Sequence, residues 1–350
     1  MNVRPEKGSL ETSIIAAPAS TAAIYRLLEL FWGACPTGCM PTSYLEYYAQ
    51  QCDSFFVEQS ESGQIAADTT GYIETHQQLA DTASRLVAGS QTREDIVSDI
   101  AAHAPTQAFK IGESIENSVN WAARAVTCTE IGVLRCAFSS RRPLLWQHGS
   151  LREFLADVFG ASKPVNTHIR LEKNFNALNL ERLSGITVEW TSDLSSHLSL
   201  REDDTKVMIF HQATFLESVK HDLFPVGLCE ETIRTLALLL PASDRDVQRW
   251  YRKQQSANSL DPEAVRCRKL RADDRQIANF HFWAERLSIL KQVFDEAEPK
   301  TLSQWWFDRR KGPQWYTFWV AIAVLALTVF FGVVQSIEGA LQVYKAYHPS

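Results

Sequence analysis

Between Gly312 and Ile337 the chain carries no charged residue, and this stretch constrains its fate more than any other. Its core, Trp315–Ile337, reads WYTFWVAIAVLALTVFFGVVQSI. As a helix, these 23 residues reach about 35 Å, enough to cross a hydrocarbon layer of about 30 Å with some tilt. Twelve of them are Leu, Ile, Val or Phe. On an insertion scale they favour the bilayer by roughly 5 kcal/mol before the costs of Gln335 and Ser336. The competing reading is a buried core helix, but a soluble core rarely needs this length without one charge.

The flanks agree with a membrane span. Trp305, Trp306, Trp315, Tyr316 and Trp319 crowd the N-terminal side, and Tyr344 and Tyr347 follow the other end, as interfacial aromatic belts do. Arg309, Arg310 and Lys311 precede the span, whereas only Lys345, beside Glu338, follows it. The positive-inside rule then places the large body in the cytosol and the short tail across the membrane. With 13 residues after the span, the layout expected is that of a tail-anchored, single-pass protein. No secretory signal is expected at the N-terminus, where the apolar run Ile14–Ala17 is short and Pro18 interrupts it.

The body has ordinary globular composition, 45% apolar and 22% charged. A net charge of −6 disfavours broad nucleic-acid binding, which needs a basic face to displace counterions. The seven cysteines are odd in number and follow no framework spacing, which points to free thiols in a reducing compartment.

Capping patterns and periodicity predict a mainly helical body. Ser150 with Glu153 opens a helix through Phe159, Thr92 with Asp95 one through Ala102, Ser243 with Asp246 one through Lys253, and Thr301 with Gln304 one through Arg310. Further helices are expected over Ala22–Phe31, Ser43–Phe56, His76–Ala88, Ser114–Cys128, Thr167–Leu183, Glu230–Leu240 and Gln276–Ala297. In the last, Ile277, Phe280, Trp283, Leu287, Leu290 and Phe294 form a stripe read as core. Ile186–Trp190 and Val207–Phe210 read as two strands of a short β-ribbon, joined by a connection that includes the acidic Glu202-Asp203-Asp204. Helices followed by such a ribbon, over about 150–211, have the outline of a winged-helix-like unit. A DNA reader needs a basic ribbon loop, so an acidic one points to protein contact.

The resulting division is a disordered tail (1–20), a helical region (21–140), helices with the two-strand ribbon (141–225), and a helical region leading to the membrane (226–311). The transmembrane helix (312–337) and a short tail across the membrane (338–350) complete it.

Motifs for common chemistry are absent from the sequence: no phosphate loop, no dinucleotide fingerprint, no nucleophile elbow and no H-E-x-x-H. Cys35 and Cys39 form a close pair without a second pair of comparable spacing, so a turn is favoured over zinc. His197, His211 and His221 lie near one another with Cys229 beyond, and structural roles are expected for them. Arg266, Arg268, Lys269, Arg271 and Arg275 form a basic run, either a solvated face or a contact to anionic headgroups. No catalytic, cofactor or metal residue is assigned on these grounds.

The segments EETIRTLALLLP (Glu230–Pro241), SDRDVQRWYRK (Ser243–Lys253), DRQIANFHFWAERLSILKQVFDEAEP (Asp274–Pro299) and Thr301–Ser350, together with Phe175–Leu200, resemble a family of filamentous-fungal proteins of unassigned activity. The resemblance implies a fungal source and one C-terminal span, and it carries over no catalytic residue. CorA-like metal transporters share the outline of a helical body before C-terminal membrane helices. This chain has one span where a CorA-type pore needs two, and no Gly-Met-Asn loop.

The function expected is that of a membrane-anchored helical scaffold that recruits a cytosolic protein partner. A single-span subunit of an oligomeric channel or transporter assembly and an unfamiliar membrane-bound enzyme are the alternatives. An open pocket with converging titratable side chains would raise the enzyme reading.

Overall fold

The computed structural model of the chain describes residues 10–14, 18, 20–34, 40–61, 73–103, 111–132, 143–160, 169–298 and 312–347. The expected helix opened by Thr301, and with it Trp305, Trp306, Arg309, Arg310 and Lys311, lies outside these residues, as do Cys35 and Cys39.

The first half is a helical bundle: α1 (Thr21–Trp32), α2 (Thr42–Glu61), α3 (His76–Ala88), α4 (Arg93–His103) and α5 (Ile111–Thr127). α5 packs against the other four. From Val119 to Val126 it is buried almost all round, as a central helix must be. Trp121 stacks on Phe55 of α2 at 4.5 Å. The boundaries follow local chemistry. Thr75 and Gln78 form a reciprocal capping box at the start of α3, and Gly89, at φ +66°, ends it in the left-handed conformation that glycine adopts without strain. Residues 10–14, placed in the tail by sequence, dock here. Gln77 N–H donates to the Leu10 carbonyl and Ile14 N–H to the Glu74 carbonyl, both at 2.9 Å, and Leu10 and Ile14 are buried.

The second half holds α6 (Leu151–Val158), α7 (Ala177–Ser184), α8 (Ala213–Ser218), α9 (Leu228–Leu239), α10 (Arg245–Asn258) and α11 (Ala284–Glu296) around a small sheet. Its strands are β1 (Thr187–Thr191), β2 (Leu200–Arg201) and β3 (Lys206–Phe210), in the order β1-β3-β2. The two expected strands do pair, but in parallel, with Thr187 opposite Lys206 and Thr191 opposite Phe210. A parallel pair needs a crossover, here 192–205, so the two do not form a ribbon. The acidic residues instead make the β2–β3 turn, where Glu202, Asp203 and Asp204 all have φ between 49° and 63°. Lys206 Nζ holds that turn by bonding Glu202 and Glu189, each at 2.8 Å.

Two predicted helices are shorter than expected. Among the described residues of the stretch expected as helix over Thr167–Leu183, the α-helix begins at Ala177, capped by Asn176, and runs to Ser184, because Arg170 pairs as a β-bridge with Gln276. Gln276–Ala297 breaks into a 3-10 turn (Ile277–Asn279) and α11. The cause is Glu231 on α9, which is 4% exposed. Its carboxylate accepts the backbone N–H groups of His281, Phe282 and Trp283 at 2.7, 2.8 and 2.9 Å. It thereby satisfies donors that a helix beginning here leaves without intrahelical partners. The expected apolar stripe is core throughout. At α10 the cap is Asp244, not Ser243.

Buried residues from Leu10 to Phe294 form one hydrophobic cluster. Phe215 of α8 joins the halves: its ring lies 5.9 Å from Trp32, 6.3 Å from Tyr44, 6.4 Å from Phe210 and 6.2 Å from Phe224. The last element, α12 (Gly312–Tyr347), is one unbroken helix that continues ten residues past the expected boundary at Ile337.

Candidate functional site

A cleft of about 840 Å³ opens where α2, the C-terminal end of β1 and the end of α10 meet. Ser43, Glu46 and Gln50 come from α2, Glu189 and Trp190 from β1, and Gln254 and Asn258 from α10. Glu46, Glu130, Glu189 and Asp193 line it, and among the described residues no Lys or Arg does. Its floor is a chain of hydrogen bonds that links positions 169 residues apart. Ser43 Oγ donates to Gln212 Oε1 at 2.9 Å. Gln212 Nε2 donates to the Ser43 carbonyl at 3.2 Å and to Ser192 Oγ at 3.1 Å. Ser192 Oγ also lies 3.2 Å from His211 Nε2.

Ser192, His211 and Asp261 are the residue types of a hydrolytic triad, but their protons run the other way. The backbone N–H of Asp261 donates to His211 Nδ1 at 3.3 Å, so Nδ1 carries no proton. A neutral imidazole then holds its proton on Nε2 and donates it to Ser192. Burial lowers the His211 pKa to about 4, which keeps the ring neutral. The Asp261 carboxylate is occupied elsewhere: it takes the N–H and hydroxyl of Thr214 at 2.6 and 2.9 Å and the N–H of Glu263 at 3.0 Å. A serine that receives two hydrogen bonds and faces no base lacks the arrangement of an activated nucleophile. Its remaining O–H is available to whatever enters the cleft.

The three histidines do not form a site. His197 is fully buried: Nδ1 accepts from Phe210 N–H at 3.1 Å and Nε2 lies 2.7 Å from Thr235 Oγ1. Burial, then Arg286, lowers its pKa to about 3. His221 lies against Phe224, with ring centroids 5.8 Å apart. Burial pushes the thiols of Cys52, Cys229 and Cys267 up to about 12, which disfavours the thiolate form that reacts. No group of His, Cys, Asp or Glu among the described residues has the arrangement of a metal site.

The second surface is α12. It is long and apolar enough to cross a membrane, and the apolar window within it is wholly unburied. Leu325, Leu327, Phe330, Phe331 and Ile337 are each more than half exposed. Of the expected interface residues within the described chain, Trp315 packs on Tyr316 at 5.1 Å and near Trp319 at 6.2 Å. Tyr344 and Tyr347 stand exposed at the other end. Most of the cleft residues fall in three short groups far apart in sequence, one on α2, one along β1 and one at the end of α10, and only the fold brings the groups together.

These features define a mainly helical protein with a small three-stranded sheet and one C-terminal apolar helix able to span a bilayer. Comparison with protein-family models, with curated proteins and with solved structures finds no match to the chain.

Proposed function

We propose that the protein is a membrane-anchored interaction module: α12 inserts in a lipid bilayer and the helical body recruits a protein partner on the cytosolic side. The exposed apolar surface of α12 carries this reading. The body buries most of its large apolar side chains in one core, whereas most of those of α12 are exposed. Lipid is the medium in which such a helix is stable, because its backbone groups are satisfied internally. Arg309, Arg310 and Lys311 ahead of the span, against Glu338 and Lys345 after it, support a cytosolic body. Trp305 and Trp306 join Trp315, Tyr316 and Trp319 as the near aromatic belt, with Tyr344 and Tyr347 as the far one. The cleft, without the proton wiring of a serine hydrolase, supports recognition.

A fluorescent tag at the N-terminus tests this. The tagged chain is expected to resist alkaline carbonate extraction, and its tag to be digested by protease added to sealed organelles. Extraction into the supernatant would refute the anchor, and a protected tag the orientation. Reproducible partners should be recovered with the body; a pull-down from membranes that yields none counts against recruitment.

The alternative of a membrane-bound enzyme draws on the convergence of Glu46, Glu130, Glu189 and Asp193 in an open cleft. Turnover that is lost in Glu130→Gln without loss of folding would favour it.

A further inference from the structure

Charge is segregated across α10. Trp250 faces Trp190 at 5.8 Å and Gln254 lines the acidic cleft, so that side of the helix is turned inward. Arg245, Arg249 and Arg252 recur at i, i+4 and i+7 on another face, and all are exposed, as is Lys253 beside them. Asp246 pairs with Arg249 at 3.4 Å.

The chain after α10 extends this basic face. Gln248 Nε2 donates to the Val265 carbonyl at 3.0 Å, which sets the following loop beside the helix. Within that loop Val265 and Cys267 are buried and Leu270 packs against the core. Arg268, Lys269 and Arg271, between and after these anchors, are exposed. The loop backbone is held in place: Arg271 N–H donates to the Asp274 carboxylate at 3.0 Å and Asn279 Nδ2 to the Asp273 carbonyl at 2.8 Å. Among the described residues, Arg268, Lys269, Arg271, Arg245, Arg252 and Lys253 form no ion pair. A protein of net charge −6 therefore presents exposed cations on α10 and the adjoining loop, of which Arg249 and Arg266 are paired with Asp246 and Glu263 and the six others are not neutralised by an ion pair among the described residues.

We infer that this surface, α10 with the 266–275 loop, docks on the anionic phospholipid headgroups of the bilayer that holds α12. The inference rests on the reading of α12 as an anchor. That anchor supplies the reason to favour lipid over a nucleic acid. Segment 297–311 joins α11 to α12 and extends to at most about 50 Å, so headgroups are always within reach of the body. A tethered partner gains a high effective concentration, whereas a soluble polyanion is repelled at long range by the body's net charge. Because the backbone is already fixed, docking orders side chains alone.

Hydrogen–deuterium exchange on the full chain tests this, with the protein reconstituted in nanodiscs of phosphatidylcholine alone or of equimolar phosphatidylcholine and phosphatidylserine. Exchange over 266–275 is expected to slow by about tenfold in the anionic discs only, and the slowing to vanish near 1 M salt, where the Debye length falls to about 3 Å. The variant R268Q/K269Q/R271Q, altered at exposed positions, should remain disc-bound and lose the effect. Equal exchange in both compositions, with the protein still disc-bound, overturns the docking and leaves the anchor standing. Protein that washes off both kinds of disc removes the anchor and the docking together. Protection of the same loop by an added oligonucleotide, with no response to phosphatidylserine, would assign the surface to nucleic acid instead.

Discussion

Asp261 meets His211 through its backbone amide, 3.3 Å from Nδ1, and not through its carboxylate. That one substitution of donor for acceptor fixes the imidazole tautomer and turns His211 from a base into a donor towards Ser192. The full-length protein is therefore expected to show no Ser192 labelling by a fluorophosphonate probe. Mass spectrometry of the tryptic digest checks this, and a stoichiometric adduct on Ser192 would restore the hydrolase reading.

Acid should weaken the body through its buried histidines. Unfolded, a histidine titrates near 6.5; in the folded chain His197 and His211 are held down to about 3 and about 4, chiefly by burial. Between these values the unfolded state binds more protons. The stability due to neutral burial is thus complete above about pH 6.5 and drains as pH falls through 4 towards 3. Each histidine withdraws up to about 1.4 kcal/mol per pH unit in its window. The urea midpoint in detergent should drop between about pH 7 and about pH 4.5, with His211→Gln flattening part of the slope. A flat profile for the native sequence would contradict the assignment.

Removing the Glu231 carboxylate strands three backbone donors at the entry to α11. Glu231→Ala is expected to cost about 3 kcal/mol, since these are hydrogen bonds to a buried charged group. The loss should be local first, with faster amide exchange at 281–283. Unchanged exchange there and an unchanged midpoint would show that the carboxylate does not hold the break between the 3-10 turn and α11.

Phe215 stands where the bundle meets the sheet, in ring contact with Trp32, Tyr44, Phe210 and Phe224. Phe215→Ala should cost about 3–5 kcal/mol through the cavity it leaves. Phe215→Leu should cost less, because it retains most of the volume. Differential scanning calorimetry of both variants separates a packing defect from an effect on anchoring.

Two charges in the middle of α12 should abolish membrane retention. Leu325→Arg with Leu327→Arg adds about 5–7 kcal/mol to insertion, roughly what the apolar residues of the span supply. The double variant is expected in the supernatant after carbonate treatment. If it stays with the membrane fraction, something other than this helix holds the protein there.

The apolar helix and most of the bundle were legible because their signals are local. Ser150 with Glu153 acts across one turn, and His76–Ala88, expected from its periodicity, matches α3 end to end. The larger misreadings within the body come from partners distant in sequence. Glu231 interrupts the helix expected from Gln276; Gln276 in turn claims Arg170, and the segment expected as helix from Thr167 shortens. Strand direction failed likewise, because Ile186–Trp190 and Val207–Phe210 announce strands but not whether the chain returns antiparallel or crosses over. The cleft was illegible throughout, since Ser43, Ser192 and His211 have nothing in common until the fold joins them.

The length of α12 has a mechanical outcome. Thirty-six residues of helix make a rod of about 54 Å. Fitting it wholly inside a slab about 30 Å thick would require leaning by about 56°, beyond the 0–40° over which such helices lie. Some of the rod must project from the slab, and the turns bearing Glu338 and Lys345 are those that water would solvate best. The last turns of α12 would then form a stiff, weakly charged rod standing clear of the lipid.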